Sequence, residues 1–343
     1  MDRAKEKWFE AKEKNEPFNA HKYVDPAGVF MTLVIPAYNE EKRLIGMLEE
    51  SVNFLEKEYS NLTTSSIKTN QAQPNGTAAR QRKVNNSTSN PPPSSNASPR
   101  GWEILIVDDG SKDATLRVAE NFTRTHLLPA LPRRNSGPWT PGTRTQSSVN
   151  IPPDSIRLIT LSSNRGKGGA VTHGMRHARG SYILFADADG ASDITDLPKL
   201  VSAADKVADS DDRAVAVGSR AHMVTSDAVV QRSKLRNFLM HSFHLFLWFM
   251  TPPATARIRD TQCGFKLFTR ATLPYIVPHM HMEGWIFDVE MLMLAEFAGI
   301  PVAEVPIGWK EVTGSKLNVV KDSIAMAWNL ALLRLCWGTG IYR

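Results

Sequence analysis

Two carboxylates one residue apart, Asp187 and Asp189, stand directly after the apolar run Tyr182–Phe185. Such a run reads as a buried parallel strand, and in an open α/β sheet ligands bind in the crevice outside the carboxyl ends of the strands. Asp-x-Asp at that edge puts two hard oxygen ligands where the phosphates of a nucleotide would sit. Magnesium takes that arrangement, with one or two carboxylates, substrate phosphates and water. On their own, two solvated loop aspartates read the same way, so the neighbouring strand ends decide. Glu40 follows Pro36-Ala37-Tyr38 after one β-type run, and Asp108 and Asp109 close another. Lys167 stands among glycines in Asn164-Arg-Gly-Lys-Gly-Gly-Ala170, where the start of a helix would offer backbone N–H groups and a favourable dipole to a phosphate. Acids gathered on one edge repel one another. A bound divalent cation and the hydroxyls of a sugar nucleotide would account for them. The chain has no Gly-Lys-Ser/Thr loop, and no Gly-x-Gly-x-x-Gly follows the first strand, which counts against an ATPase or a dehydrogenase.

The elements that must position these groups follow a strand–helix rhythm. Phe30–Pro36, Trp102–Val107, Ile156–Leu161 and Tyr182–Phe185 read as strands. Helical spacing follows the first through Leu44, Met47, Leu48, Val52 and Leu55, the second through Leu116, Val118, Ala119 and Phe122, and the third from Asn164 to about Ala178. This rhythm argues for βαβ units, a parallel sheet and right-handed crossovers, with Pro36, Asp108, Leu161 and Asp187 on one edge. Further on, Ala214–Gly218, a turn and strand over Asp260–Phe268, a helix entered at Glu283–Glu290, and a strand over Ile300–Val305 complete the fold. The expected class is α/β, with a mainly parallel Rossmann-like sheet flanked by helices. Apolar or amphipathic helices over 237–250 and 319–337 lie in the C-terminal half. Segments of about 61–100 and 129–154 are Ser/Thr/Asn/Pro-rich. They cannot bury enough apolar surface to offset ordering entropy, and read as disordered inserts in loops.

Composition narrows the class. With 42% hydrophobic and 22% charged residues the chain has the makeup of a globular protein with a substantial core. A net charge of +6 favours acidic partners such as nucleotide phosphates or anionic headgroups. No stripe of Lys/Arg with interleaved aromatics points to nucleic acid. Cys263 and Cys336 have neither metal-type nor disulfide-framework spacing. No run reaches the roughly 18 apolar residues of a spanning helix, and the charged opening Met1–Trp8 is not a secretory signal.

Leu33-Val-Ile-Pro-Ala-Tyr-Asn-Glu-Glu41, Val107-Asp-Asp-Gly-Ser111 with Asp113, and Asp187-Ala-Asp189 resemble the inverting glycosyltransferases of family 2, which have the GT-A fold. Asn164–Ala170, Ile258-Arg-Asp-Thr-Gln-Cys-Gly-Phe-Lys-Leu-Phe-Thr269 and Gly314-Ser-Lys-Leu317 are similar, within them, to the dolichyl-phosphate β-glucosyltransferases of the endoplasmic reticulum. The resemblance runs from about Val34 to the C-terminus outside the two inserts. It implies a GT-A domain over 30–317 after a lead-in of 1–29, and a membrane-proximal helix over 318–343.

The resemblance also implies roles. Pro36, Ala37, Tyr38 and Glu40 would contact uridine and ribose, and Asp108 would hold the base or ribose, with Asp109 and Lys167 at the nucleotide sugar. Asp187 would lie near the donor sugar, and Asp189 would bind Mg2+ or Mn2+ on the diphosphate. Gln262 would complete the site beside the acceptor, with a plain turn role as its alternative. Asp288 stands where many relatives carry a base; its alternative is an acid favoured by a helix N-terminus. Arg220, Arg232 and Lys316 would bind acceptor or leaving-group phosphates.

The implied partners are UDP-glucose and dolichyl phosphate at the endoplasmic reticulum membrane, with the catalytic domain facing the cytosol. Members carry a membrane-spanning anchor ahead of the catalytic domain, and this chain opens with charge. Either the anchor is absent from this sequence, or docking relies on the apolar segments and the basic surface. Two rivals stand beside this reading: a polyprenyl-phosphate mannosyltransferase using GDP-mannose, and a nucleotidyltransferase.

Overall fold

A computed structural model describes residues 25–60, 101–127, 154–223, 249–312 and 319–342. The first insert, nearly all of the second, and most of the lead-in and of the apolar segment 237–250 lie outside them. The strands are β1 (Val29–Ala37), β2 (Trp102–Asp108), β3 (Ile156–Thr160), β4 (Gly180–Ala186), β5 (Val215–Ser219), β6 (Phe265–Thr269) and β7 (Val302–Pro306). They form one sheet in the order β3-β2-β1-β4-β6-β5-β7. The first four strands pair in parallel, as the βαβ rhythm predicts. Strand β6 runs against both neighbours, β4 and β5, while β5 and β7 are parallel. This reversal matters for the site. It carries the start of β6, rather than its end, to the edge where β4 finishes, with Ala186 opposite Phe265.

The side-chain period of two sorts the strands onto two apolar layers. In β4, Tyr182, Leu184 and Ala186 face one layer, and Ile183 and Phe185 the other. Helices α1 (Leu44–Tyr59), α2 (Thr115–Leu127) and, after α3, α4 (Leu197–Val207) cover the first layer. Helices α3 (Gly166–Arg176) and α5 (Phe287–Phe297) cover the second. Helix α1 shows why: Leu44, Met47, Leu48, Val52 and Leu55 recur on one face and are all buried. Helix α6 (Val319–Gly338) packs outside this sandwich, setting Met326, Leu330 and Leu333 against Ile286, Val289 and Met293 at α5.

At the edge away from the acids, buried Glu103 of β2 ties three strands together. It accepts hydrogen bonds from Thr32 Oγ1 (2.7 Å) and Arg179 N (2.7 Å), and Thr32 Oγ1 in turn accepts from Gly180 N (2.8 Å). Arg157 and Arg179 neutralise it. Because both arginines keep solvent contact, removing the acid should cost less than the roughly 3–5 kcal/mol of a fully buried pair. Glu103→Ala is expected to lose about 2 kcal/mol in urea unfolding while leaving nucleotide binding intact. Unchanged stability would show that the network does not hold the register.

Candidate active site

The loops after β1 and β2 are stitched together before any ligand is considered. Asn39 adopts φ 53°, and its N–H donates to Ser111 Oγ (2.9 Å) while its side-chain oxygen accepts from Lys112 N (2.8 Å). Glu40 N donates to Thr115 Oγ1 (2.6 Å), and Asp109 N to Ala37 O (2.8 Å). Pro36 and Ala37 stand opposite Val107 and Asp108 across the β1–β2 ladder. The expected nucleotide-binding run Pro36–Glu40 and the end of β2 thus form one wall.

Asp108 and Asp109 separate in role. Asp108 is buried, and its Oδ1 has no hydrogen-bond partner among the described residues. A buried acceptor left unmatched is costly. Asp109, expected at the nucleotide sugar, is instead a brace for the loop before α3. Its Oδ1 accepts from Arg165 N (2.7 Å) and its Oδ2 from Gly166 N (2.9 Å). Burial pushes its carboxyl up to about 6, against the pull of these two N–H groups.

The glycines of α3 are likewise not a phosphate cradle. The N–H groups of Gly168 and Gly169 donate to the carbonyl of Glu283 (2.8 and 3.2 Å). Gly166 has φ +82°, and a Cβ there would lie 2.6 Å from the same oxygen. A Cβ on Gly168 would stand 2.5 Å from Phe287 Cβ. The glycines let the 282–287 segment close over the start of α3. That segment is held in turn by buried Glu290 of α5, which accepts from His281 N (3.0 Å) and Met282 N (2.7 Å).

Closing the segment delivers Lys167 to the acids. Its Nζ lies 2.6 Å from Asp187 Oδ1 and 5.8 Å from the ring centres of both Trp285 and Phe287. Burial alone would lower its pKa, but the carboxylates of Asp187, Asp288 and Asp189 hold it above the ordinary lysine value. The Asp187 carboxylate fits only because residue 264 is glycine: a Cβ there would be 2.1 Å from Oδ2. Asp189 Oδ1 accepts from Ala191 N (3.0 Å), and burial, then Asp187, push its carboxyl up.

Asp288 does not stand as an open base. It is 2% exposed and pairs directly with Lys266, itself wholly buried, whose Nζ also donates to Cys263 O (2.7 Å). Burial pushes the Asp288 carboxyl up, and Lys266 and Lys167 oppose it. The pair clamps the start of α5 to the turn before β6. Gln262 turns towards α6, its Nε2 lying 3.1 Å from Met326 Sδ. Arg220, expected to hold a phosphate, has Nε and Nη2 on Asp260 (2.7 and 2.9 Å) and stacks over Trp309. Arg232 and Lys316 lie outside the described residues.

One site residue was missed. Arg43, just before α1, binds Glu40 through two hydrogen bonds of 2.7 Å and reaches Asp189 Oδ2 at 3.7 Å. Its only sequence signal was an arginine three residues after Glu40, a spacing at which helical side chains meet. Among the described residues no group of three or more His, Cys, Asp or Glu is arranged to hold a metal ion.

Comparison with known proteins fits this edge. The glycosyl transferase family 2 description matches residues 142–270. The dolichyl-phosphate beta-glucosyltransferase of Saccharomyces cerevisiae is 38% identical over 331 residues, 95% of this chain and 80% of the yeast protein. The Homo sapiens protein of the same name is 35% identical over 314 residues, 91% of this chain and 77% of its own. The chain belongs to the dolichyl-phosphate beta-glucosyltransferase family. Relatives at this identity do not favour the mannosyl- or nucleotidyltransferase rivals. Among solved structures, mannosyl-3-phosphoglycerate synthase from Rubrobacter xylanophilus superposes with a TM-score of 0.51 at 14% identity, covering 90% of this chain and 73% of that one. It shows the same fold in a glycosyltransferase.

In this family member the close approach at α3 makes a sharp test. Gly168→Ala is expected to cost about 1–3 kcal/mol by overpacking and to reduce activity by displacing Lys167. Gly284→Ala, with nothing within 4 Å of the added Cβ, should leave both near wild type. Equal thermal melting of the two variants would contradict the packing role of Gly168.

Proposed function

We propose that the chain transfers glucose from UDP-glucose to dolichyl phosphate with inversion, giving dolichyl β-D-glucosyl phosphate, the lipid-linked glucose donor for N-glycan precursor assembly. Membership of the family supports this. So does the one observation that carries it: an acid-lined sheet edge whose buried Asp108 oxygen lacks a partner beside the Pro36–Glu40 wall. An N–H of the nucleotide base meets that oxygen, and Tyr38 and Glu40 flank the ribose.

A divalent cation fits this donor set. Asp189, with Asp187 beside it, would hold Mg2+ or Mn2+, which would neutralise the departing UDP. Two carboxylates without a third protein ligand are what a site completed by substrate phosphates leaves in the protein.

The chain's own residues do the rest by placement. An acceptor phosphate oxygen attacks C1 of the glucosyl unit as the bond from C1 to the UDP oxygen breaks on the opposite face. A phosphate monoester has its second pKa near 6 and is already largely ionised, so the step needs no base. Buried Asp288 agrees with that, acting as a clamp rather than a proton acceptor. Lys167 fixes Asp187 in one rotamer beside the sugar, and proximity of two oriented reactants supplies much of the rate.

The acceptor arrives on a lipid, and α6 supplies a face for that surface. Ile324, Trp328, Leu332 and Leu335 recur along one exposed stripe, with Trp328 65% exposed. No helix among the described residues is long and apolar enough to cross a membrane. A stripe with a tryptophan suits a helix lying in the interface. We propose that the catalytic edge works at the cytosolic face of the endoplasmic reticulum membrane, the setting that the family resemblance implies.

Labelled glucose should pass from UDP-glucose to dolichyl phosphate and not from GDP-glucose, and label moving from GDP-mannose alone would overturn the assignment. Asp189→Ala is expected to lower kcat at least 100-fold with an unchanged melting temperature; turnover near wild type would remove Asp189 from the site. In a separate test, Trp328→Ser with Leu335→Ser should abolish sedimentation with anionic liposomes while UDP binding persists. Sedimentation as strong as wild type would discard α6 as the lipid-facing element.

A further inference from the structure

Both oxygens of Asp189 already have neighbours within the chain. Its Oδ1 is engaged by Ala191 N, and its Oδ2 faces the Arg43 guanidinium at 3.7 Å. Asp187 is engaged too, with Oδ1 on Lys167 Nζ at 2.6 Å and Oδ2 packed against Gly264. Arg43 is not a loose surface cation. Its Nε and Nη2 both donate to Glu40 at 2.7 Å, leaving Nη1 to point at Asp189. The groups facing the guanidinium are therefore two carboxylates, one gripping it and one merely attracting it. Helix α1 carries it there because Met47, one turn on, packs against Gly190 in the Asp189 turn, 3.5 Å from where a Cβ would lie.

We propose that Arg43 is a resident counter-cation of Asp189 that competes with free divalent metal, so that metal enters this site together with the nucleotide rather than ahead of it. The inference rests on the metal-and-nucleotide reading above. A divalent ion arriving alone must compete with a guanidinium for Asp189 Oδ2 and brings no ligands of its own beyond water. The same ion arriving on a diphosphate brings phosphate oxygens as ligands and extra negative charge for Arg43 to meet. Glu40 keeps the displaced guanidinium close by, so the exchange is local and reversible. Arginine suits this role because its planar fork can hold Glu40 through two donors and still present a third nitrogen.

The test is binding rather than turnover. Free Mn2+ is followed by electron paramagnetic resonance while wild type, Arg43→Gln and Arg43→Lys are titrated, with and without UDP. Without UDP, Arg43→Gln should bind Mn2+ about tenfold more tightly than wild type, a modest fraction of the effect of a unit charge some 4 Å away. Arg43→Lys, which keeps the charge, should stay within about threefold of wild type, and with UDP all three should converge. A merely structural arginine would give the opposite sign, since its loss would loosen the site. Equal Mn2+ affinity for wild type and Arg43→Gln without UDP overturns the proposal, as does a tenfold gain that persists unchanged with UDP. Wild type that takes up no Mn2+ even with UDP overturns the metal-and-nucleotide reading itself, which separates the two failures.

Discussion

Negative charge crowded onto one edge of a sheet is the constraint that the rest of this structure answers. Asp108, Asp187, Asp189 and Asp260 all sit at or beside the same edge, with Glu40 in the loop beyond and Asp288 behind it. Their mutual repulsion at short range and partial burial would be severe if each stood alone. The fold answers with cations brought from distant sequence. Lys167 meets Asp187, Lys266 meets Asp288, Arg220 meets Asp260, and Arg43 joins Glu40 to Asp189. Asp108 is the exception: its Oδ1 is one of the few buried side-chain atoms without a partner among the described residues. The edge is thus largely neutralised by the protein.

That arrangement revises what the acids alone imply. From the residue types, a divalent ion looks necessary to reconcile so many carboxylates. In the structure, lysines and arginines already offset most of that charge, and any metal would join an edge whose carboxylates are largely paired without it. Charge matching of this kind also explains why α5 and the turn before β6 are joined by a fully buried ion pair rather than by apolar contact. The Lys266–Asp288 clamp lies directly beneath Phe185, with Lys266 Nζ 5.2 Å from the ring centre, so the strand that carries Asp187 rests on it. Replacing such a pair by apolar side chains can be neutral for stability, whereas its geometry holds a defined position. Here the position is that of the turn carrying Gly264, on which the Asp187 rotamer depends.

Local sequence carried much of this fold and less of its chemistry. The four parallel strands and the helices after the first three were legible because their periodicities are local, and the shared edge follows from crossover handedness. The reversal of β6 was not legible. Phe265–Thr269 is buried on both faces, and such a run reads alike in either direction. Helix α4 went unmarked although Leu197, Leu200, Val201 and Ala204 are spaced for it. Among the site residues, the Asp-x-Asp and the Pro36–Glu40 wall were read from motif and position. Asp109, Asp288, Gln262 and Arg220 took their expected roles from the resemblance, and the partners they have within the chain lie 56, 22, 64 and 40 residues away. No local pattern encodes such pairings.

The same logic links helix α6 to the acid edge. Helix α6 is apolar on two sides: Met326, Leu330 and Leu333 are buried against α5, and Ile324, Trp328 and Leu335 are open to solvent. A helix with two apolar faces is stable only if both are covered, and the inner cover is the element whose first turn holds Asp288. Met326 also meets Gln262, two residues before Gly264. Any surface that seats the outer face of α6 therefore bears, through one layer of side chains, on both the clamp and the glycine that shape Asp187. Helix α6 and the turn that shapes Asp187 thus share a wall.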